Sequence, residues 1–438
     1  MAYDQGVIRR ISWRDLFPWL VLFRTFRIAI APTLLALAAA ASILSFVGWR
    51  VAAFVFIPRQ EGQSWFAAPA GDIPSAANSQ LSTYHVPAAV SPYLPAAPNG
   101  YFVGYFQLAE PWKRLFQVDA QFTLSDAAYY AFGTLWTLIL WTFVGGVITR
   151  RAVVQLGAEE PVGIVPAVKF ASRRYLGYFL APLYPLLGVF VLAIPIAILG
   201  LPLRLGQFDN FQWLEGVGAI LAGLLWIFVV VAGLGAMWLL GGLIFGWPLM
   251  WPAISAERDG DAFEAFSRSF SYVYGKPLHY FFYVVVAALF GALCVAVIAG
   301  AEALVIEFGF WALSLGGGSE GTVRLRDLVL SPRQLPDDQQ WLQYGAMLIG
   351  IVIALVHQLA FAFNFTYFWC ASSAIYLLLR MDVDHQEMDE VVLDDDPGRG
   401  PALTTPTAAV ESKVEATPVV EPSGQAAAEN AADGDAAE

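Results

Sequence analysis

Three polar side chains, His357, Gln358 and Asn364, stand inside a long apolar run near the end of this 438-residue chain. Polar groups at membrane depth are costly, and they commonly line a path or bind a neighbouring helix. His357 and Asn364 are seven residues apart, so on a helix they share a face. Glu302 and Glu307 close an earlier apolar run, where water or headgroups are their expected surroundings. His357, Asn364 and Glu302 are therefore the candidate intramembrane polar site. Two roles are open to them: a polar path for a transported solute, or hydrogen bonding between helices.

The rest of the search for chemistry is negative. The sequence has no glycine-rich phosphate loop after a strand, no HExxH, no nucleophile elbow and no CxxC pair. His279 sits among aromatic residues at the end of an apolar run, as an interface residue would. His385 lies in DVDHQEMDE, which reads as a solvated acidic run rather than a cation site. Cys294 and Cys370 both fall inside apolar runs, so they are expected as buried thiols and not as a disulfide or metal site. No catalytic set, metal or cofactor is expected, and no basic patch offers itself to nucleic acid.

Four basic residues have a different use. Lys169, Arg173, Arg174 and Arg268 lie in polar connectors between apolar runs and are candidate headgroup contacts. A basic residue near an anionic membrane surface is worth about 1 kcal/mol.

The connector from Pro252 to Pro277 shows how such residues are positioned. Asp259, Gly260 and Asp261 make a turn and supply an N-terminal cap. Phe263, Phe266, Phe270 and Val273 follow at spacings of three and four, one face of a helix. Glu264 and Arg268 sit four apart on the polar face, and Gly275 and Pro277 end the helix. A short helix with an aromatic face and a charged face belongs at a membrane interface. Gly157–Gly177 occupies the same kind of position earlier in the chain.

Composition supplies the frame. Hydrophobic residues make up 58% of the chain and charged residues 14%. Apolar runs of bilayer-crossing length recur. The net charge of -12 belongs to the end of the chain. Fifteen of the acidic residues and two of the basic ones fall in 381–438, which leaves 21 acids against 22 bases elsewhere. The spans are expected at about Ile28–Ile57, Ala127–Thr149, Tyr178–Leu199, Gly216–Phe245, Leu278–Ala301 and Trp341–Leu379. The fold class is therefore all-α: a polytopic membrane bundle of about six transmembrane helices with two cytoplasmic interfacial helices.

Between the spans, residues 1–27 mix Arg with Trp and Phe and read as a cytoplasmic headgroup-level segment. Residues 58–125, with Pro87, Pro92, Pro95 and Pro98, read as a loose outer loop whose end, Leu108–Val118, lies on the outer surface. Arg150 and Arg151 are expected to end the second span. The third contains Pro182, Pro185 and Pro195 and is expected to be kinked or broken. Residues 302–340 form an outer region, with a polar connector over 314–340. From Met381 the chain lacks the apolar content to fold and is expected to be a disordered acidic tail.

The bias of Lys and Arg puts both termini in the cytoplasm, with Arg9, Arg10, Arg14, both connectors and Arg380 on that side. Aligned without gaps, 98 positions apart, the connectors match Ala158 with Ala256, Glu159 with Glu257, Ala167 with Ala265 and Gly177 with Gly275. An internal parallel repeat gives this pattern, and so do chance matches in a chain rich in Ala and Gly.

The second connector also carries a family likeness. An apolar run ending in PAI, an acidic turn, AFSRSF and a further apolar run resemble the membrane domain that accompanies some bacterial glycerophosphodiester phosphodiesterases and related multi-pass proteins. The likeness covers roughly residues 130–300 and rests on Ala256, Glu257, Ala265, Arg268 and Ser269. In that family the hydrolytic site lies in a separate soluble domain, and nothing here could be that domain. The likeness therefore implies membrane architecture, a bacterial inner (cytoplasmic) membrane and no catalysis. The expected role is a non-enzymatic scaffold, assembly or transport-accessory protein whose partners are the lipid bilayer and a cytoplasmic protein recruited by the acidic tail. The alternative is a transporter or channel with a polar path near His357 and Asn364. A lipid-directed membrane enzyme ranks third, for want of a nucleophile or metal set.

Overall fold

A computed structural model describes residues 17–56, 100–115, 124–206, 208, 211–258, 260–330, 336 and 339–392. Among them there is no strand. A 3-10 turn at Pro18–Leu20 leads into α1 (Val21–Ala29), α2 (Pro32–Phe56), α3 (Gly100–Leu115) and α4 (Leu124–Gly157). Then come α5 (Ile164–Arg173), α6 (Tyr175–Leu180), α7 (Leu183–Leu205), α8 (Gln212–Leu224) and α9 (Trp226–Ala256). The last four are α10 (Ala262–Gly275), α11 (Pro277–Gly317), α12 (Ser319–Leu330) and α13 (Gln340–Asp384). Six of them, α2, α4, α7, α9, α11 and α13, are long and apolar enough to cross a membrane. The protein is an all-α polytopic helix bundle.

Its axis is the second half of α13. Every residue from Ala362 to Arg380 is buried. The run FAFNFTYFWCASSAIYLLLR interleaves large rings with Ala, Ser and Cys, so neighbouring helices can approach from all sides. Trp369 stacks on Trp251 of α9 with ring centroids 4.2 Å apart. Gly145 of α4 faces this pair, and a Cβ there would lie 2.2 Å from the Trp251 ring. Lipid is as apolar as these side chains, so close packing and not water exclusion holds the helices together.

The other long helices diverge from that axis. α11 has 41 residues and α13 has 45. At 1.5 Å per residue they run about 60 and 67 Å, roughly twice a bilayer core of about 30 Å. Their far halves pack with α12 around Ile306, Phe310, Leu328 and Val329. α2 and the start of α4 form a second arm around Trp49, Tyr129 and Tyr130. α7, α8 and the start of α9 form a third, which exposes Leu187, Phe190, Val191, Ile194 and Ile198 along α7.

α3 differs from the expected surface segment, because it is inserted into the bundle. Tyr101 and Leu108 are buried. A Cβ at Gly104 would lie 2.6 Å from Phe368 Cβ and 2.8 Å from the Asn364 carbonyl oxygen. Gly100 lies against Val295 and Gly291 of α11, and the Tyr105 hydroxyl donates to the Ile244 carbonyl of α9 at 2.8 Å. Ser125 at the start of α4 donates to the Phe56 carbonyl at the end of α2, at 2.5 Å. The end of α2 and the start of α4 therefore lie together, while α3 packs inside the bundle. Backbone of this kind is tolerated at membrane depth when protein surrounds it.

Several boundaries also move. The first span is split: α1 packs separately, with Leu22 and Thr25 buried, and α2 starts at Pro32. α4 runs through Arg150 and Arg151 to Gly157, because both guanidinium groups find partners inside the protein. The third span begins at Leu183, past Pro182, and runs on through Pro195 and Pro202 to Leu205. The fourth continues to Ala256, and Leu225 separates it from α8. α11 runs past Glu302 and Glu307, and part of the expected 314–340 connector is helix α12. Most of the outer loop, residues 57–99 and 116–123, lies outside the described residues; of the expected acidic tail, 381–384 continue α13, 385–392 are described, and the rest from 393 lies outside.

Each connector opens with a short helix. α5 begins at Ile164 and α10 at Ala262, the 98-residue offset of the sequence alignment. Each lies between long apolar helices. The first connector is broken at Arg174, between α5 and α6.

Candidate functional site

The densest polar cluster lies where α9, α10 and α13 meet. α9 ends at Ala256 and leaves Glu257 extended. Glu257 Oε1 accepts from Tyr376 at 2.9 Å and lies 3.1 Å from Arg380 Nε and 3.4 Å from Arg268 Nη1. Its side chain is 11% exposed. Asp261 caps α10, accepting the Glu264 amide at 2.6 Å. The cap fixes the register in which Glu264 reaches Arg268 one turn later, at 2.7 Å. Arg268 also reaches Asp384 at 3.3 Å, and Tyr272 donates to Asp384. Burial opposes the charge on Arg268, but Glu257 and the other partners outweigh it and raise its pKa. The same burial, with Asp384 accepting its proton, raises that of the Tyr272 phenol.

A second group joins the two connectors. Ser255 binds Thr149 at 2.9 Å and the Tyr178 hydroxyl at 2.8 Å. Burial pushes the Tyr178 phenol up to about 12. Arg150, 1% exposed, donates to the Ser255 carbonyl at 2.8 Å and lies over the Phe170 ring. Arg174 donates to the Ile254 carbonyl in the last turn of α9 and to the Glu257 and Arg258 carbonyls just beyond it.

The same end holds the start of the tail. Arg380 donates to Gln386 at 2.5 Å and to the Glu390 carbonyl at 2.7 Å. The Val392 amide bonds the Ala256 carbonyl at 3.2 Å. Gly157 lies against Met388 and Val391, where a Cβ would meet the Met388 carbonyl oxygen at 2.4 Å.

The headgroup candidates thus divide. Lys169 and Arg173 are exposed on α5. Arg174 and Arg268 are directed at carbonyls and carboxylates of the protein itself. Apolar periodicity found α10 but gave no sign that its polar face meets α13. The presence of Asp382 and Asp384 just after Arg380 was the available signal.

The intramembrane candidates divide as well. His357 Nδ1 and Glu302 Oε1 are 2.7 Å apart and join α13 to α11. Glu302 therefore faces a neighbouring helix, with its side chain 16% exposed. Asn364 donates to the Phe361 carbonyl within its own helix at 3.0 Å and is 7% exposed. Gln358, between them, binds Ser42 of α2. Asn364 and the Glu302–His357 pair thus bond different partners.

A cavity of about 390 Å³ opens among α3, α4, α7 and α9, and its lining is almost wholly apolar. Trp112, Trp141, Leu186, Leu243, Trp247 and Trp251 form much of the wall. The chain matches no family model, no curated protein and no solved structure.

Proposed function

We propose that this is a non-enzymatic integral membrane protein with a scaffold, assembly or transport-accessory role, lying in a bacterial inner membrane with both termini cytoplasmic. The observation that carries the reading is the clamp on Gln386–Val392. Arg380, Ala256 and Gly157 fix the chain at the point where the acidic sequence begins. A tether held this firmly suits presentation of the tail to a cytoplasmic partner. The likeness of Ala256, Glu257, Ala265, Arg268 and Ser269 to the phosphodiesterase-associated membrane domain supports a membrane role without catalysis. Exposed Val165, Leu176 and Phe263 beside Lys169 and Arg173 support a position for α5, α6 and α10 at the membrane interface.

The test is purification from native membranes with and without residues 393–438. Loss of a reproducible partner on truncation is the expected result, and an unchanged partner set overturns recruitment by the tail. A second reading, a transporter or channel, has one observation in its favour: the Glu302–His357 contact between two spans. Solute flux in reconstituted vesicles that requires His357 would select it.

A further inference from the structure

The cavity among α3, α4, α7 and α9 has a definite chemistry. Its walls come from three candidate spans and from the helix that dips between them. Four of the six lining side chains that carry a polar atom bond protein partners. The Tyr105 hydroxyl donates to the Ile244 carbonyl at 2.8 Å, and Trp251 Nε1 to the Tyr178 carbonyl at 3.0 Å. Trp141 Nε1 donates to Ser45 at 3.0 Å, and Thr137 accepts from Trp49 while donating to the Gly133 carbonyl at 2.8 Å. An ordered water needs two to four polar partners, and these groups are already engaged. A hydrated path for a polar solute does not fit this lining.

The cavity is partly open. Phe106 and Ile244 line it and are themselves 62% and 50% exposed. Its mouth is continuous with the exposed apolar surface of α7 and α9, where Leu187, Phe190 and Leu234 face outward. In a bilayer, that surface is covered by lipid chains. The volume falls in the range of small-molecule sites.

We infer that the cavity is a binding site for one acyl chain of a bilayer lipid, which enters sideways past Phe106 and Ile244. α3 supplies one wall, so the helix that dips into the bundle creates the site. The inference does not depend on the role of the tail, and truncation at residue 393 leaves it unchanged.

The test uses the full chain in nanodiscs of phosphatidylethanolamine and phosphatidylglycerol. A phospholipid with a photoactivatable diazirine at the end of its acyl chain is the probe. Labelling is expected on peptides containing Trp112, Leu186 or Leu243, and saturating palmitate should reduce it at least fivefold. Phe190, on the outer face of α7, serves as the lipid-exposed reference that palmitate does not protect. Leu243→Trp and Ala109→Phe each fill the cavity and should cut labelling there by a similar factor. Palmitate competition on the unaltered chain decides the matter if the variants fail to fold. Cavity labelling no stronger or more competable than at Phe190 would overturn the site. A second protein copy crosslinked through the same residues would replace the lipid as occupant.

Discussion

Glu257 receives two guanidinium groups and one phenol while only 11% exposed. Its repeat-matched partner, Glu159, is 51% exposed, has a left-handed backbone (φ 59°) and pairs with Arg24 at 3.0 Å. Breaking a buried pair leaves the remaining charge unpaired and costs about 3–5 kcal/mol, whereas an exposed pair is worth about 0–1. Glu257→Gln keeps an acceptor for Tyr376 but removes the charge between Arg268 and Arg380. It should lower stability by about 3 kcal/mol, and Glu159→Gln by less than about 1. Thermal unfolding in detergent measures both, and equal shifts would show that the cluster is not the stabilising centre. Arg268→Ala should follow Glu257→Gln, since Arg268 meets Glu257, Glu264 and Asp384. From the sequence alone, Phe266→Asp should far outweigh Arg268→Ala. The structure narrows that gap: Phe266 is half-buried and stacks on Tyr184, while Arg268 ties α10 to α13.

At the scale of elements, the spans were legible and the dipping helix was not. A run of bilayer length has few alternatives to a helix, so α2, α4, α7, α9, α11 and α13 follow from composition. Asp261 and the Phe263, Phe266, Phe270 spacing likewise foretell α10, and Gly242 admits Phe270 of that helix where a Cβ would lie 2.2 Å away. α3 is 16 residues long, too short to cross, and follows a proline-rich stretch. Its signal was the pair Gly100 and Gly104, small residues four apart, the spacing that marks close helix packing. The polar pairs were illegible for another reason: Glu302 and His357 are 55 residues apart, and no local pattern shows which helices adjoin. Gly104→Val tests the insertion. With Phe368 Cβ and the Asn364 carbonyl within 3 Å of a Cβ, α3 should be displaced at a cost of about 1–3 kcal/mol. Gly300→Ala, which meets nothing within 4 Å, is the control and should change little. A cysteine at Leu108, protected from maleimide in the parent, should become reactive in Gly104→Val. Continued protection at undiminished stability would mean that α3 does not depend on this contact.

For the whole molecule, the course of the chain and its sidedness are separate questions. The Ser125–Phe56 bond places the start of α4 beside the end of α2, and six spans, an even count, would keep both termini on one side. Which side that is rests on Lys and Arg. The structure divides the basic residues of the connectors into two uses. Arg150, Arg174 and Arg268 serve the fold, while Lys169 and Arg173 stay at the surface. Charges engaged in the folded protein still act during insertion, so the positive-inside bias keeps its force. Cysteine accessibility in intact cells measures the outcome. Cys294 and Cys370 are buried, so an added thiol reports against a low background. Gly317→Cys lies at the exposed end of α11, and Ser172→Cys and Ser271→Cys are exposed on the connectors. An impermeant maleimide added outside should modify Gly317→Cys at once and should reach Ser172→Cys and Ser271→Cys only after the membrane is opened. The reverse pattern would invert the protein. Labelling of Ser172→Cys and Ser271→Cys from opposite sides would break the parallel relation that the 98-residue offset between α5 and α10 suggests.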